Sequence, residues 1–347
     1  MRSSTFSSDR VGDGPQATYV VAGIVAGLLI LLAVESLWRV NGAVSNFVDN
    51  KPRWSWFRSQ VADNSGVTLL GASRMHFGFS LAAFRDRYPD TPVHQLAVAG
   101  QTPYAALRDL AETESFKGVV LISFTPDIVM AFRHEDQQQY VDHYRDRLTI
   151  DVQLNFLAES FAEQFLISRQ YNYGIDSILR KLVGSGELPP AVLYLETQFD
   201  REIHADYSME DVDAHRQRRI AEATGLYDHF YPISPDLWRQ ELAEFLGYAK
   251  TIHDRGGCVI AIRFPSGSEL YEREQALFPK QDFWAALETV PYLGSAHFED
   301  LAIMDSIVLP DLQHVEKPDK YRFTDALLTQ LESAAAGVDG GHCALGN

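Results

Sequence analysis

Cysteine is scarce in this chain: its 347 residues include two, Cys258 and Cys343. Cys258 lies inside an apolar run and Cys343 in a Gly-rich tail, so they form no metal-ligand spacing and no evident disulfide framework. The 11 histidines show no H-E-x-x-H or comparable spacing. The sequence therefore predicts no metal site, and its cysteine content alone does not fix the redox compartment.

Basic clusters and phosphate-binding loops are also missing. The net charge is −17, and no run of Lys and Arg offers the basic face that nucleic-acid binding needs to neutralise phosphates. No Gly-rich phosphate loop is present, so we expect no nucleotide cofactor. Apolar residues make up 46% of the chain, which is ordinary for a globular protein with a buried core.

One long uncharged run is present, over residues 14–34. A helix of about 20 apolar residues crosses the hydrocarbon layer of a membrane, and Trp38 and Arg39 follow where an interfacial anchor belongs. We predict that residues 1–38 form a cytoplasmic tail and one membrane-spanning helix over 17–38. A cleaved signal peptide is the main alternative, although its apolar stretch is typically about 7–15 residues. A buried core helix is the third alternative.

The charges that flank this run mildly favour a cytoplasmic location for the rest of the chain, because more Lys and Arg follow the run than precede it. Those counted are Arg2 and Arg10 before it, and Arg39, Lys51, Arg53 and Arg58 after it. Long domains translocate largely regardless of such charges. Residues 39–66, rich in tryptophan, are predicted to be a juxtamembrane connector.

Short apolar runs alternate with helical patterns over residues 67–130. The predicted strands are 67–73, 93–100 and 118–126, and the predicted helices are 80–88 and 102–114. Ser80 and Thr102 are the expected N-caps of these helices. This alternation predicts an α/β fold, with a parallel sheet that carries helices on both faces.

The alternation is interrupted at residues 131–250, which are charged and mostly helical in pattern. We predict a helical insertion there, packed over one sheet edge or covering the site. The sheet resumes at 257–265, and a last strand-like piece at 306–311 leads into a helix. Residues 335–347 are small and Gly-rich and are predicted to be disordered. The main domain is thus expected to span 67–334.

Chemically useful residues follow three of the predicted strands: Ser73, Gly100, and the pair Asp311 and His314. In open parallel sheets, sites form at the carboxyl edge. His314 is a suitable base for the Ser73 hydroxyl, and Asp311 can orient its imidazole, as in a serine triad. The backbone N–H groups of Gly100 and Ser73 are suited to hold an oxyanion.

Other residues near these segments have alternative roles. His297 is an alternative base, but it is predicted to begin a strand and so to lie at the edge opposite Ser73. Arg74 is predicted to bind an anionic group of the substrate or to pair with an acid of the insertion. Arg263, at the end of a predicted strand, has the same two alternatives. His76 is expected either to pack in the interior or to contact substrate.

The same segments resemble the SGNH (GDSL-like) hydrolases. LLGASRMHFGFS is similar to the first block of that family, HQLAVAGQTP to the second, and HFEDLAIMDSIVLPDLQHVEKPDKYRFTDAL to the last. The resemblance is to membrane-anchored bacterial members found with polysaccharide or cell-envelope assembly systems. It covers residues 67–130 and 257–330 and leaves out the insertion.

This resemblance implies a flavodoxin-like SGNH sheet and assigns roles by position. Ser73 would be the nucleophile, His314 the base and Asp311 its orienting acid, while Gly100 and the Ser73 N–H would bind the oxyanion. The implied activity is that of an acyl esterase or O-acyltransferase, without a cofactor, acting on an esterified cell-envelope glycan or a lipid-like substrate. The implied location is the inner membrane, with the catalytic domain periplasmic or extracellular.

The chain departs from the family pattern at two positions. Ala72 stands where the family often has Asp, and the third block lacks the Asn that usually completes the oxyanion hole. Thr125 is the substitute donor that the sequence offers. Because loss of one oxyanion donor typically costs about 10²–10³ in turnover, a second interpretation stays open: a catalytically degenerate binding or assembly module of a membrane polysaccharide complex.

Overall fold

The protein is described here by a computed structural model that covers residues 15–61, 66–170, 173–184, 186, 190, 192–230 and 233–346, with the backbone alone at 15, 16 and 226–230. The chain forms two compact units. The smaller contains the N-terminal helix to residue 45 together with 165–192, and the larger contains 46–164 and 193–347. The predicted cytoplasmic tail, residues 1–14, lies outside the described residues.

The described residues of both units form α-helices, and the described β-strands lie in the larger unit. The helices are α1 (Pro15–Val40), α2 (Lys51–Ser59), α3 (Ser73–Gly78), α4 (Leu81–Arg87), α5 (Tyr104–Glu112), α6 (Gln138–Arg147), α7 (Ile150–Phe165), α8 (Ile175–Gly184), α9 (Val212–Phe230), α10 (Pro235–Asp254), α11 (Ser268–Leu277), α12 (Trp284–Glu288) and α13 (Lys317–Ala336). The strands are β1 (Val67–Leu70), β2 (Val93–Gln95), β3 (Val119–Ser123), β4 (Leu195–Thr197), β5 (Ile203–Ala205), β6 (Cys258–Arg263) and β7 (Leu293–His297).

Helix α1 is the apolar element of the smaller unit. Its segment Ala17–Val40 has a mean hydropathy of 2.5 and is long and apolar enough to cross a membrane. Large side chains along it, such as Val20, Leu28 and Leu32, are more than half exposed. The prediction of an apolar N-terminal helix is confirmed, although a signal sequence has the same appearance.

A five-stranded parallel sheet forms the centre of the larger unit, in the order β2-β1-β3-β6-β7. Counting these strands alone, the order is 2-1-3-4-5, which is common in doubly wound sheets. Because side chains alternate along a strand, Leu70 and Ile122 pack towards α5 and α10, while Leu69 and Leu121 pack towards α4 and α13. The predicted α/β fold, with helices on both faces of the sheet, is confirmed.

The two predicted helix caps have different outcomes. Ser80 caps α4, because its side chain accepts a hydrogen bond from the Ala83 N–H at 3.3 Å. Thr102 does not cap α5, whose N-cap is Pro103. The Thr102 hydroxyl instead donates to the Arg133 carbonyl at 3.1 Å.

The last strand of the sheet differs from the prediction. It is β7, at 293–297, whereas 306–311 forms the end of a 3-10 helix and an irregular segment. Gly294 and Ser295 interrupt the apolar pattern of β7. The sequence pattern therefore does not predict a strand at this position. His297 therefore ends a strand rather than beginning one, and it lies at the carboxyl edge of the sheet.

The predicted connector over 39–66 is in part an element of the larger unit. It contains α2, in which Trp54 is fully buried and donates its indole N–H to the Leu96 carbonyl at 2.8 Å. Trp54 therefore packs in the interior of the larger unit rather than at a membrane interface. Residues 62–65 lie outside the description.

The insertion and the tail also depart from the sequence interpretation. Residues 131–250 include the antiparallel pair β4 and β5, which was not predicted. The tail predicted to be disordered is packed: α13 extends to Ala336, and Leu345 is buried. Cys343 forms a disulfide with Cys258 of β6, which fastens the tail to the sheet.

Candidate active site

Ser73 lies at the junction of the first strand and the helix that follows it. β1 ends at Leu70, and α3 begins at Ser73. Gly71 is required at this turn, because a Cβ there would lie 2.7 Å from Met75 Cβ and 2.8 Å from Ser123 Cβ. The close approach of α3 and β3 directs the half-buried Ser73 hydroxyl to the carboxyl edge of the sheet.

The structure brings His314 and Asp311 to this hydroxyl. His314 Nε2 lies 2.8 Å from Ser73 Oγ, and His314 Nδ1 lies 2.7 Å from Asp311 Oδ2. A carboxylate accepts hydrogen bonds, so Nδ1 carries the proton and Nε2 accepts from the serine hydroxyl. The three groups have the connectivity of a serine triad.

The turn between Asp311 and His314 is held in an unusual conformation. Leu312 has a φ of 70°, in the left-handed region that non-glycine residues rarely adopt. Its carbonyl accepts a hydrogen bond from the Gly267 N–H at 2.7 Å. Asp311 Oδ1 also accepts from the N–H groups of Gln313, at 3.1 Å, and His314, at 2.9 Å. These bonds fix the carboxylate beside the imidazole.

Burial and charge set the protonation of the pair. Burial of Asp311 opposes its ionisation, but the hydrogen bond from His314, the His314 charge and the influence of the Tyr207 hydroxyl outweigh it, so the pKa of Asp311 lies well below its usual value. Burial lowers the pKa of His314, and Asp311 only partly opposes this. The imidazole is therefore mainly neutral at pH 7, as a general base must be.

Two residues of the insertion reach Asp311, and sequence reasoning missed both. Arg219, on α9, donates from Nε to Asp311 Oδ2 at 3.2 Å. The Tyr207 hydroxyl contributes to the lowered pKa of Asp311, and it accepts a hydrogen bond from the Tyr194 hydroxyl at 2.8 Å. Arg219 and Asp311 are 92 residues apart in sequence, so no local pattern links them.

A cavity of about 250 Å³ opens beside the Ser73 hydroxyl. The three predicted oxyanion donors, Ser73, Gly100 and Thr125, all line it. Gly100 has a φ of 77°, and a Cβ there would meet no atom within 4 Å. Glycine is therefore favoured at this position by the backbone conformation rather than by lack of space for a side chain. The described residues that line the cavity include no Asn.

Arg74 lines the cavity but is held by an acid. Its Nη2 donates to Glu274 Oε1 at 2.9 Å, and Arg263 pairs with the other carboxylate oxygen of Glu274. Glu274 belongs to α11, outside the insertion that was expected to supply the acid. The two arginines thus share one carboxylate, which leaves less of their charge for an anionic substrate.

The structure places His76 in the interior, away from this cavity, which agrees with the first of its two predicted roles, packing. His76 is fully buried, and its Nε2 lies 2.7 Å from the Arg201 carbonyl. Burial lowers the pKa of His76 to about 4, although Asp49 opposes this. Arg201 in turn donates to the Gln95 and Ala97 carbonyls, so this cluster supports the segment that leads to Gly100.

His297 is separated from Ser73 although it lies at the same sheet edge. Its Nδ1 accepts from the Glu299 N–H at 3.3 Å, and its ring packs against Trp284 and Phe298. It does not line the cavity. The expectation that His297 begins a strand was wrong, whereas the structure does place His314, and not His297, beside Ser73.

No group of three or more His, Cys, Asp or Glu that could hold a metal is found among the described residues.

In comparisons with known proteins, no family model matches the chain. No curated protein and no solved structure gives a significant match.

Proposed function

We propose that the protein is a serine acyl esterase or O-acyltransferase of the SGNH type, with Ser73 as nucleophile, His314 as base and Asp311 as orienting acid. The observation that carries this proposal is the unbroken hydrogen-bond series from Ser73 Oγ through His314 to Asp311, with distances of 2.8 and 2.7 Å. A flavodoxin-like strand order and a cavity at the carboxyl edge agree with it.

The first half of the reaction forms an acyl-enzyme. Ser73 Oγ attacks the ester carbonyl carbon while its proton passes to His314 Nε2. The carbonyl electrons move to oxygen, and the oxyanion is held by the N–H groups of Ser73 and Gly100, with the Thr125 hydroxyl as third donor. When the intermediate collapses, the ester C–O bond breaks, and the leaving alcohol takes the proton from His314.

The second half transfers the acyl group to a hydroxyl. The acceptor loses its proton to His314 and attacks the acyl carbon, and Ser73 leaves with that proton. Water as acceptor gives an esterase, whereas a sugar hydroxyl gives a transferase. The substrate class proposed is an acylated cell-envelope glycan or a lipid-like ester.

The proposed location is the inner membrane, with α1 as the anchor and the larger unit in the periplasm or outside the cell. The Cys258–Cys343 disulfide supports this side, because disulfides persist in oxidising compartments and are rare in the cytosol. The greater number of Lys and Arg after α1 than before it instead favours a cytoplasmic location for the larger unit. We give the disulfide more weight because long domains translocate largely regardless of flanking charge.

A serine-reactive fluorophosphonate tests nucleophile and location together. We expect it to label the full-length protein, p-nitrophenyl acetate to be hydrolysed, and Ser73→Ala to abolish both. A membrane-impermeant form of the probe should label the protein in intact spheroplasts. Absence of labelling and turnover in a folded protein would favour the degenerate binding module, which the lack of an Asn in the cavity also favours. Labelling that requires lysis would instead reverse the proposed orientation.

A further inference from the structure

Helix α8, in the smaller unit, has two chemically different sides. With 3.6 residues per turn, its aliphatic residues form one continuous side, and its polar residues and Gly184 form the other. The aliphatic side consists of Ile175, Ile178, Leu179, Leu182 and Val183. The polar side carries Asp176, Ser177, Arg180 and Lys181.

The aliphatic side of α8 is largely uncovered: Ile175 is 64% exposed, Leu179 56% and Val183 87%. Much of the polar side is exposed as well, although Ser177 is 9% exposed. A surface helix of a soluble protein turns its apolar stripe towards the core. A contiguous apolar side that faces outwards instead marks an interaction surface.

The segment before α8 is bonded to the end of α1. The Glu35 carboxylate accepts the N–H groups of Ile167, at 3.0 Å, and Ser168, at 2.7 Å. Glu35 is 7% exposed and Ile167 is fully buried. These bonds fix residues 167 and 168 to the last turns of α1.

Two further contacts strengthen the same attachment. The Trp38 ring lies 4.9 Å from that of Tyr173, and Arg39 Nη2 donates to the Phe165 carbonyl at 2.9 Å. Tyr173 lies two residues before α8 begins. If α1 crosses a membrane, its end near Trp38 is at the interface, and α8 is therefore tethered there.

We propose that α8 lies in the interface of the membrane that α1 crosses, with its aliphatic side in the acyl-chain boundary and its polar side towards the headgroups. Such a helix combines an apolar side with Lys and Arg on the polar side, as Arg180 and Lys181 provide here. The occupant is lipid rather than protein, because the segment that leads into α8 is hydrogen-bonded to the end of the proposed anchor. This inference rests on the proposed membrane insertion of α1.

Single-cysteine labels on the full-length protein test this placement. Both native cysteines are in a disulfide, so a thiol-reactive fluorophore attaches to an introduced cysteine under non-reducing conditions. Val183→Cys and Leu179→Cys report the aliphatic side of α8, Gly184→Cys is the matched control on the polar side, and Leu29→Cys reports α1. The proteins are reconstituted in vesicles of phosphatidylcholine with a minority of phosphatidylglycerol, and quenching by lipid-bound nitroxide is compared with quenching by aqueous iodide.

We expect the labels at 183 and 179 to be quenched several-fold more by shallow lipid nitroxide than by iodide, and the label at 184 to show the reverse. A label at 29 quenched by deep nitroxide, with equal quenching at 183 and 184, would overturn the inference while leaving the anchor intact. No lipid quenching at 29 would overturn the anchor and this inference with it. If the label at 183 were protected from both quenchers in native membranes but not in lipid vesicles, a protein would cover α8. This result would also overturn the inference.

Discussion

Two histidines lie at the carboxyl edge of the sheet, and they have different surroundings. His314 is 1% exposed and His297 3%, so burial does not distinguish them. His314 stands between a carboxylate and a serine hydroxyl. His297 accepts a backbone N–H and is packed among aromatic rings. A position at this edge is therefore not enough to place a histidine beside Ser73, and the two rings are distinguished by the groups that bond to them.

The same contrast appears in their protonation. Burial, together with the charges of Lys280 and Arg263, lowers the pKa of His297 to about 3. The pKa of His314 is also lowered by burial, but Asp311 opposes that effect. In the proposed reaction, this opposition lets His314 accept a proton. The Glu299 carboxylate, 3.6 Å from His297 Nδ1, also opposes the lowering of the His297 pKa. Because Glu299 is itself paired with Lys280, it does not offset the effect of burial, and His297 stays neutral.

The largest expected effect comes from removing the proposed base. His314→Ala should lower kcat/KM for p-nitrophenyl acetate by about 10⁴–10⁶-fold, because Ser73 then has no proton acceptor. The measurement is steady-state hydrolysis by the full-length protein, with circular dichroism to verify folding.

His297→Ala is the matched control, since it truncates an equally buried histidine at the same edge. It should leave kcat/KM within a few-fold of the unchanged protein, with its cost appearing as a lower melting temperature. Comparable losses of activity in both variants, each folded, would contradict the assignment of His314.

A smaller effect is expected from the acid. Asp311→Asn preserves the shape of the side chain but removes the charge that stabilises the imidazolium, and it disturbs the tautomer of His314. We expect kcat/KM to fall by about 10²–10⁴-fold, with folding retained. If Asp311→Asn retained full activity, the carboxylate would be a structural group only.

The smallest effect is a pH dependence. His314 acts in its neutral form, and burial places its pKa below the usual 6.5. The rate should therefore be flat near neutral pH and fall about tenfold per pH unit once the pH drops below that pKa. Because Asp311 raises the pKa of His314, the residual activity of Asp311→Asn should show this acid limb at lower pH.

The control for the pH dependence is again His297. Its pKa of about 3 places its titration outside the range of the assay, so His297→Ala should leave the acid limb unchanged. If the acid side of the pH–rate profile shifted in His297→Ala and not in Asp311→Asn, His297 rather than His314 would be the titrating base.

The sequence carried enough information for the central strands and for the residues that meet at the site. β1, β3 and β6 are buried along their whole length, so their apolar runs identified them. Ser73 and the Asp311–His314 pair were found because short spacings and strand ends are visible in sequence. β7 was missed because it is an edge strand with Gly294 and Ser295 in its middle.

Long-range contacts account for most of what was not predicted. Arg219 and Asp311 meet across 92 residues, Arg74 and Glu274 across 200, and the two cysteines across 85. None of these pairs has a spacing that distinguishes it from many alternatives. The order of the C-terminal tail depends on such a contact, and its small, Gly-rich composition therefore gave the wrong expectation.

The arginines of the insertion set a limit on how far this protein can be shortened. Arg201 holds the strand end that leads to Gly100, and Arg219 holds Asp311. An engineer who excised residues 193–230 to obtain a minimal catalytic core would keep all three members of the proposed triad. That core would lose the donors that orient two sides of the cavity, and Asp311, at present 0% exposed, would be opened to water. The smallest working version of this site therefore includes a segment that contributes no strand to its sheet.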